Sequence, residues 1–181
     1  MYIDIQEYII DKNLTENNIL FVGETGDSQI IEMVSKDNNV TITDYPEYDV
    51  MNLHQVEDAQ MDVIISDQVL EHIKRPQAAV DEMYRVLKPG GMCILTTCFM
   101  NPIHYDTGGE NDYWRFTPNG LRVLFDSFSS IHQCQGMGDF KLLYYCMIDG
   151  NREQVNNSEL ISADVDDNNR TYIHVHIISI K

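Results

Sequence analysis

A chain of 181 residues can bury a sizeable core as one domain without disulfides or metals, and 43% apolar with 23% charged residues is ordinary globular usage. The formal net charge is −17, with acid spread from Asp4 to Asp167 and no Lys/Arg cluster. That balance argues against nucleic acid and anionic membrane surfaces as partners, and no apolar run nears the roughly eighteen residues of a spanning helix.

The first residues, MYIDIQEYIIDKN, carry acid where an export signal carries positive charge, so none is expected and the cytoplasm is the expected compartment. Ile3, Ile9 and Ile10 can line one side of a short helix before the polar break Asn13 to Asn18. Ile19 to Val22, a continuous apolar run closed by Gly23, predicts a strand buried on both faces. Asp27 can cap a helix carrying Ile30, Ile31 and Val34, and Val40 to Thr43 predicts a second strand closed by Asp44.

Met61 to Ser66 predicts a third strand. Pro76 is placed to open a helix with Ala79, Met83, Val86 and Leu87 on one face, ended by Lys88 to Gly91. There Pro89 cannot continue the helix and Lys88 complements its negative end, and Met92 to Cys98 resumes as a strand. Beyond Thr117 the pattern predicts a helix over Pro118 to Phe128, then strands at Ile131 to Gly136, Phe140 to Ile148 and Thr171 to Ile180. Asp149 to Asn169 is acidic, rich in Asn and weakly apolar, and reads as a connection.

Strands alternating with helices through short Gly or Pro turns imply right-handed crossovers. The expected architecture is therefore a doubly wound α/β domain spanning residues 1–181, with a mainly parallel sheet and an antiparallel C-terminal edge. Asp44 and Asp62 lie too close in sequence for a full helix plus strand, so one helix is expected to be missing there. Cys93, Cys98, Cys134 and Cys146 form no CxxC pair and suit reduced, mostly buried thiols. His174 and His176 share one face of a strand, but nothing at recognisable spacing completes a metal site, so no metal is expected.

Ligands of open α/β sheets bind beyond the carboxyl ends of the strands. Gly23 and Gly26 can bring backbone close to a ligand, and Asp44, about twenty residues on, can take both hydroxyls of a ribose. The same residues also serve simply as turn formers.

Asp62 to Gly91 reads DVIISDQVLEHIKRPQAAVDEMYRVLKPGG. Val69, Leu70, Glu71, His72, Glu82, Arg85, Leu87, Lys88, Pro89, Gly90 and Gly91 resemble the VLEH and E..R.LKPGG motifs of class I S-adenosylmethionine-dependent methyltransferases. The likeness continues into HYDTGGENDYWRFTPNGLRVLF, and covers Ile19 to about Phe128.

The resemblance implies a Rossmann-like methyltransferase fold, a seven-stranded sheet with one antiparallel strand, and S-adenosylmethionine as cofactor. It implies that Gly23, Glu24 and Gly26 border the methionine part, Asp44 accepts the ribose hydroxyls, Asn52 and Leu53 lie near adenine, and Asp67 and Gln68 line the pocket. His104 and Tyr113 are the candidate catalytic residues, with Asp112 and Arg115 as orienting or acceptor-binding groups. An alternative gives DYWRF a structural role, with Trp114 and Phe116 inward and Asp112 paired to Arg115.

The expected activity is methyl transfer to a small-molecule or glycan-like acceptor. The glycine loop reads FVGETGD, with Phe21 at the family's acidic position, and this motivates a second expectation. In it, the chain is a non-catalytic cofactor-binding or scaffolding module on the same fold.

Overall fold

The computed structural model describes residues 8–23, 29–43, 46–103, 111–137 and 173–181. Residues 8–12 are helical (α1), followed by β1 (Asn18–Val22), α2 (Gln29–Val34), β2 (Asn39–Thr43) and β3 (Met61–Asp67). A 3₁₀ turn (Leu70–His72), α3 (Pro76–Val86), β4 (Leu87–Cys98), α4 (Pro118–Leu124), β5 (Ser130–Met137) and β6 (His174–Ile180) complete the described elements.

The six strands form one sheet in the order β2-β1-β3-β4-β6-β5. Strands β2, β1, β3 and β4 pair in parallel, whereas β6 runs antiparallel to both β4 and β5. The doubly wound sheet with an antiparallel strand near its C-terminal edge is therefore present. Residues 46–60 contain only turns and an isolated Asp49–Asn52 bridge, so the short spacing before β3 is bridged without a helix. The expected strand at Phe140 to Ile148 and the cap Asp27 lie outside the described residues.

Continuous apolar strands follow from cover on both faces. Leu20, Val22, Ile64 and Leu95 point toward Ala79, Met83 and Val86 of α3, Leu121 of α4 and Phe125 just after it. Ile19, Phe21, Ile65 and Ile94 point the other way, toward Ile9, Ile30 and Val34. Ile9 is buried while Ile10 is 64% exposed, so α1 packs through Ile9 with Tyr8 beside it and turns Ile10 outward. Pro118 opens α4 at its first turn and Thr117 Oγ1 accepts from Gly120 N at 3.0 Å, but the helix ends at Leu124, short of Phe128.

The helix stops where LKPGG begins, as the sequence predicts, but the segment itself is strand, and the strand starts at Leu87 and not at Met92. Helix α3 ends at Val86, and Leu87 already has extended geometry (φ −71°, ψ 140°), so these residues are the start of β4. Lys88 faces no helix end: its Nζ donates to both carboxylate oxygens of Asp62 at 2.7 and 2.8 Å. Partial burial raises the Asp62 pKa, but Lys88 and the Asn18 N–H outweigh it and hold the group below its ordinary value. Sequence spacing cannot separate a helix C-cap from a strand that follows a helix directly, because both need the helix to stop.

The two glycines serve different ends. A Cβ on Gly91 would lie 2.8 Å from Lys88 O and 3.0 Å from Asp62 O, whereas Gly90 has open space but φ +78°. Gly91→Ala should cost roughly 1–3 kcal/mol through overpacking against backbone, and Gly90→Ala only about 1 kcal/mol through conformation. Urea unfolding of both variants checks the order, and equal costs would contradict it.

Candidate active site at the carboxyl edge of the sheet

The chain leaves β1 toward β2 on one side, and β3 lies on the other, so strand order reverses between β1 and β3. Gly23 sits at that point with φ +137°. A Cβ there would meet Val69 Cγ2 at 3.1 Å and Asp67 O at 3.2 Å, so the end of β3 crowds the end of β1 and only glycine fits. Gly23 is thus brought against Asp67 and Val69, the residues on either side of Gln68.

Immediately after β3, Gln68 adopts φ +52°, a conformation uncommon outside glycine. Its N–H is shared between Thr96 O (3.2 Å) and Thr96 Oγ1 (3.1 Å), and that hydroxyl donates to Asp67 Oδ1. Strain of this kind gathers where surrounding structure over-determines a position, as at ligand sites.

The following turn places Glu71 fully inside the protein. Its Oε2 accepts from Thr97 Oγ1 at 2.8 Å and its Oε1 from Cys98 Sγ at 3.1 Å. Burial, and then the Glu71 charge, push the Cys98 thiol up to about 12, so it stays protonated and donates. The Glu71 carbonyl accepts from Tyr113 N (2.9 Å) and Trp114 N (3.2 Å).

These bonds dock the DYWRF segment onto the LEH turn. His72 Nδ1 contacts Asn111 O at 2.5 Å, Trp114 Nε1 donates to Ile73 O at 3.0 Å, and Phe116 N donates to Cys98 O at 2.9 Å. Asp112, its side chain fully buried, pairs with the Arg115 guanidinium, which also donates to Asn101 O and Pro102 O, each at 2.9 Å. Asp112 first, then Cys98 and Glu71, raise the Arg115 pKa against the opposing effect of burial. The Asp112–Arg115 pairing and the buried Phe116 match the structural role for this segment, while Trp114 is 43% and Tyr113 46% exposed. Tyr113 Oη donates to Asn111 Oδ1 at 2.9 Å.

On the other side of the edge, Asn52 is exposed and Leu53 fully buried. Leu53 N donates to Glu82 Oε2 at 2.7 Å and Leu53 O accepts from Arg85 Nη2 at 2.9 Å. Arg85 also donates to Val56 O and to Asp58, and bridges back to Glu82. Glu82 and Arg85 were legible as motif residues, but their grip on a loop about thirty residues upstream was not, because it exists only once the loop is folded over α3. His104, Glu24, Gly26 and Asp44 lie outside the described residues; Thr43, just before Asp44, pairs with Val22, just before Gly23. Among the described residues no cluster of three or more His, Cys, Asp or Glu could hold a metal, and no helix is long and apolar enough to cross a membrane.

A sheet of this order, with glycine at the switch point and polar side chains beyond β3 and β4, is the Rossmann-like fold of class I methyltransferases. Residues 14–95 match the family model described as a methyltransferase domain. A 46-residue stretch is 44% identical to the ubiquinone biosynthesis O-methyltransferase of Psychrobacter cryohalolentis, covering 25% of this chain and 18% of that one. The mitochondrial ubiquinone biosynthesis O-methyltransferase of Dictyostelium discoideum is 29% identical over 116 residues, 56% of this chain and 35% of its own length. The chain thus spans about a third or less of the curated relatives it matches.

Solved structures agree in fold. The phosphoethanolamine N-methyltransferase 2 of Haemonchus contortus, solved with S-adenosylhomocysteine, superposes with TM-score 0.62 at 16% identity over 98% of this chain and 52% of that one. The [4+2]-cyclase SpnF gives 0.64 at 14% over 98% and 80%, and a methyltransferase from Archaeoglobus fulgidus 0.56 at 13% over 98% and 91%.

Replacing Arg85 by Met removes the bonds to Leu53, Val56 and Asp58 together. A stability loss of about 2 kcal/mol is expected, with faster amide exchange confined to residues 49–58. The Arg85 bond, first, outweighs burial and holds Glu82 below its ordinary pKa. A lowered folded-state pKa stabilises above the unfolded value near 4.3 and is lost as pH falls through the folded one. The variant should therefore lose less stability than the parent between about pH 5 and 3. Unchanged exchange at Leu53 would contradict the clamp.

Proposed function

We propose that the protein transfers a methyl group from S-adenosylmethionine to a small-molecule acceptor bound over the ends of β3, β4 and β6. The observation that carries this reading is the contact of Gly23 with Asp67 and Val69 at the switch point, beside the strained Gln68. Backbone at Gly23 and the acids Asp67 and Asp44 suit a cationic, hydroxyl-bearing nucleoside, and these residues fit the cofactor. S-adenosylmethionine, when bound, supplies an electrophilic methyl group on a sulfonium.

The chain's own part is to hold, orient and exclude water. Asp44 takes the ribose hydroxyls, Asn52 and the clamped Leu53 border the base, and Gly23, Glu24 and Gly26 follow the methionine part. Much of the acceleration of methyl transfer comes from aligning acceptor and methyl group, with a base needed only where the acceptor must lose a proton. His104 and Tyr113 are our candidates for that role, on the segment that follows β4.

The acceptor class rests on two supports. Relatives named as ubiquinone biosynthesis O-methyltransferases point to a small molecule. Tyr113 and Trp114, each nearly half exposed beside the Glu71 turn, offer flat rings to a planar acceptor or to the apolar face of a sugar, so glycan-like acceptors belong in the same panel. A second reading, a cofactor-binding module without turnover, is favoured by Phe21, which lies 1% exposed in the core where the family carries an acid.

Titration calorimetry of the full chain with S-adenosylmethionine and S-adenosylhomocysteine tests the proposal. Both should bind, and Asp44→Ala should weaken binding about tenfold or more by removing charge-assisted bonds to the diol. Absence of heat at high protein concentration would overturn it, and binding without methylation across the acceptor panel would select the second reading.

A further inference from the structure

Strand β2 pairs with β1 alone and ends the sheet on that side. Asn39 N donates to Asn17 O at 2.9 Å, and with Asn18 opposite Asn39 and Leu20 opposite Thr41, the parallel ladder turns the backbone groups of Asn39, Thr41 and Thr43 toward β1. Alternate residues face the other way, so Val40 and Ile42 direct both N–H and C=O outward. Among the described residues nothing bonds to these four groups.

An edge of this kind pairs with another chain unless charge, proline, a bulge or a cover blunts it. Strand β2 reads NVTIT, with no charge or proline, and its register with β1 is unbroken. Its last four residues are β-branched, and Ile42 is 38% exposed. The opposite edge of the sheet is different. There the register of β5 shifts between Ile131 and Gln133, and Ser130, His132 and Gln135 are exposed.

We propose that the β2 edge is the contact of a homodimer, in which a second copy of this chain adds its own β2 antiparallel across a two-fold axis at Thr41. A two-fold contact sets the same edge on both copies. Val40 then lies opposite Ile42 of the second copy, and Ile42 opposite its Val40. Each such pair exchanges two hydrogen bonds, so all four outward groups of each chain are met, and no other symmetric register uses them all. Paired residues project to one face. Val40 and Ile42 lie beside Ile19 and Phe21, their partners on β1, so the two copies continue one apolar strip across the axis.

The charges at the strand ends fit the antiparallel sense. Lys36 precedes β2 and Glu47 follows it, both exposed and without an ion pair among the described residues. Antiparallel pairing brings Lys36 of each copy to the end that carries Glu47 of the other. The net charge of −17 opposes self-association, and a five-residue edge buries less than the roughly 1,200 Å² at which standard interfaces begin, so the dimer is a weak one. This inference is independent of the methyl-transfer reading.

Sedimentation equilibrium of the full chain at about 0.15 M salt, where charge repulsion is screened beyond about 8 Å, tests it. A monomer–dimer equilibrium is expected, with a dissociation constant between about 1 μM and 1 mM. Amide exchange read by NMR locates the contact: from dilute to concentrated sample the Val40 and Ile42 amides should gain protection, while Thr41, already bonded to β1, and the β5 amides stay unchanged. In a mixed-label sample the α-protons of the two Thr41 residues should be in contact. Ile42→Lys places charge on the edge, and Ile42→Pro removes an N–H that makes no bond within one chain. Each should weaken the dimer about tenfold or more with the circular dichroism of the monomer unchanged. A monomer throughout the concentration range would overturn the proposal, as would a dimer protected on β5 in place of β2, or one that both folded variants leave intact.

Discussion

A fully buried carboxylate must be met by donors, and in this protein that requirement organises the functional edge of the sheet. Glu71 is reached by Thr97 and Cys98 of β4, and its backbone carbonyl by the amides of Tyr113 and Trp114. Removing the carboxylate would take away the acceptor of Thr97 Oγ1; removing the DYWRF segment would uncover the turn. The LEH and DYWRF motifs, separate in sequence, are one wall in space.

The opposite wall obeys the same logic with different residues. Residues 46–60, the described stretch before β3, contain no helix, and an irregular loop needs its backbone groups satisfied. Glu82 and Arg85 supply that from α3, taking both the N–H and the carbonyl of Leu53. A short segment is thereby kept in a defined path over the helix.

Much of this was legible from the residues. Apolar runs closed by Gly23 and Asp67 announced buried strands, and Pro76 announced the start of α3, because these signals depend on local sterics and burial alone. Local signals also fell short: LKPGG marks the end of α3, but Lys88 pairs with Asp62 and Gly91 makes room for backbone at the start of β4. His174 was seen only as half of a weak metal pair, since its place opposite Cys98 depends on β6 returning antiparallel beside β4. The fold was therefore readable, and the connections among these side chains were not.

The central claim is that Gly23, the Leu53 loop, the Asp67–His72 turn and the docked DYWRF segment form one ligand site at the carboxyl edge. Hydrogen–deuterium exchange of the full chain with and without S-adenosylhomocysteine tests it directly. The account predicts protection concentrated at residues 20–23, 51–54, 66–72 and 112–116, with α4 and the amino ends of the strands unchanged. Protection confined to the opposite edge, or none at a saturating ligand concentration, would contradict it.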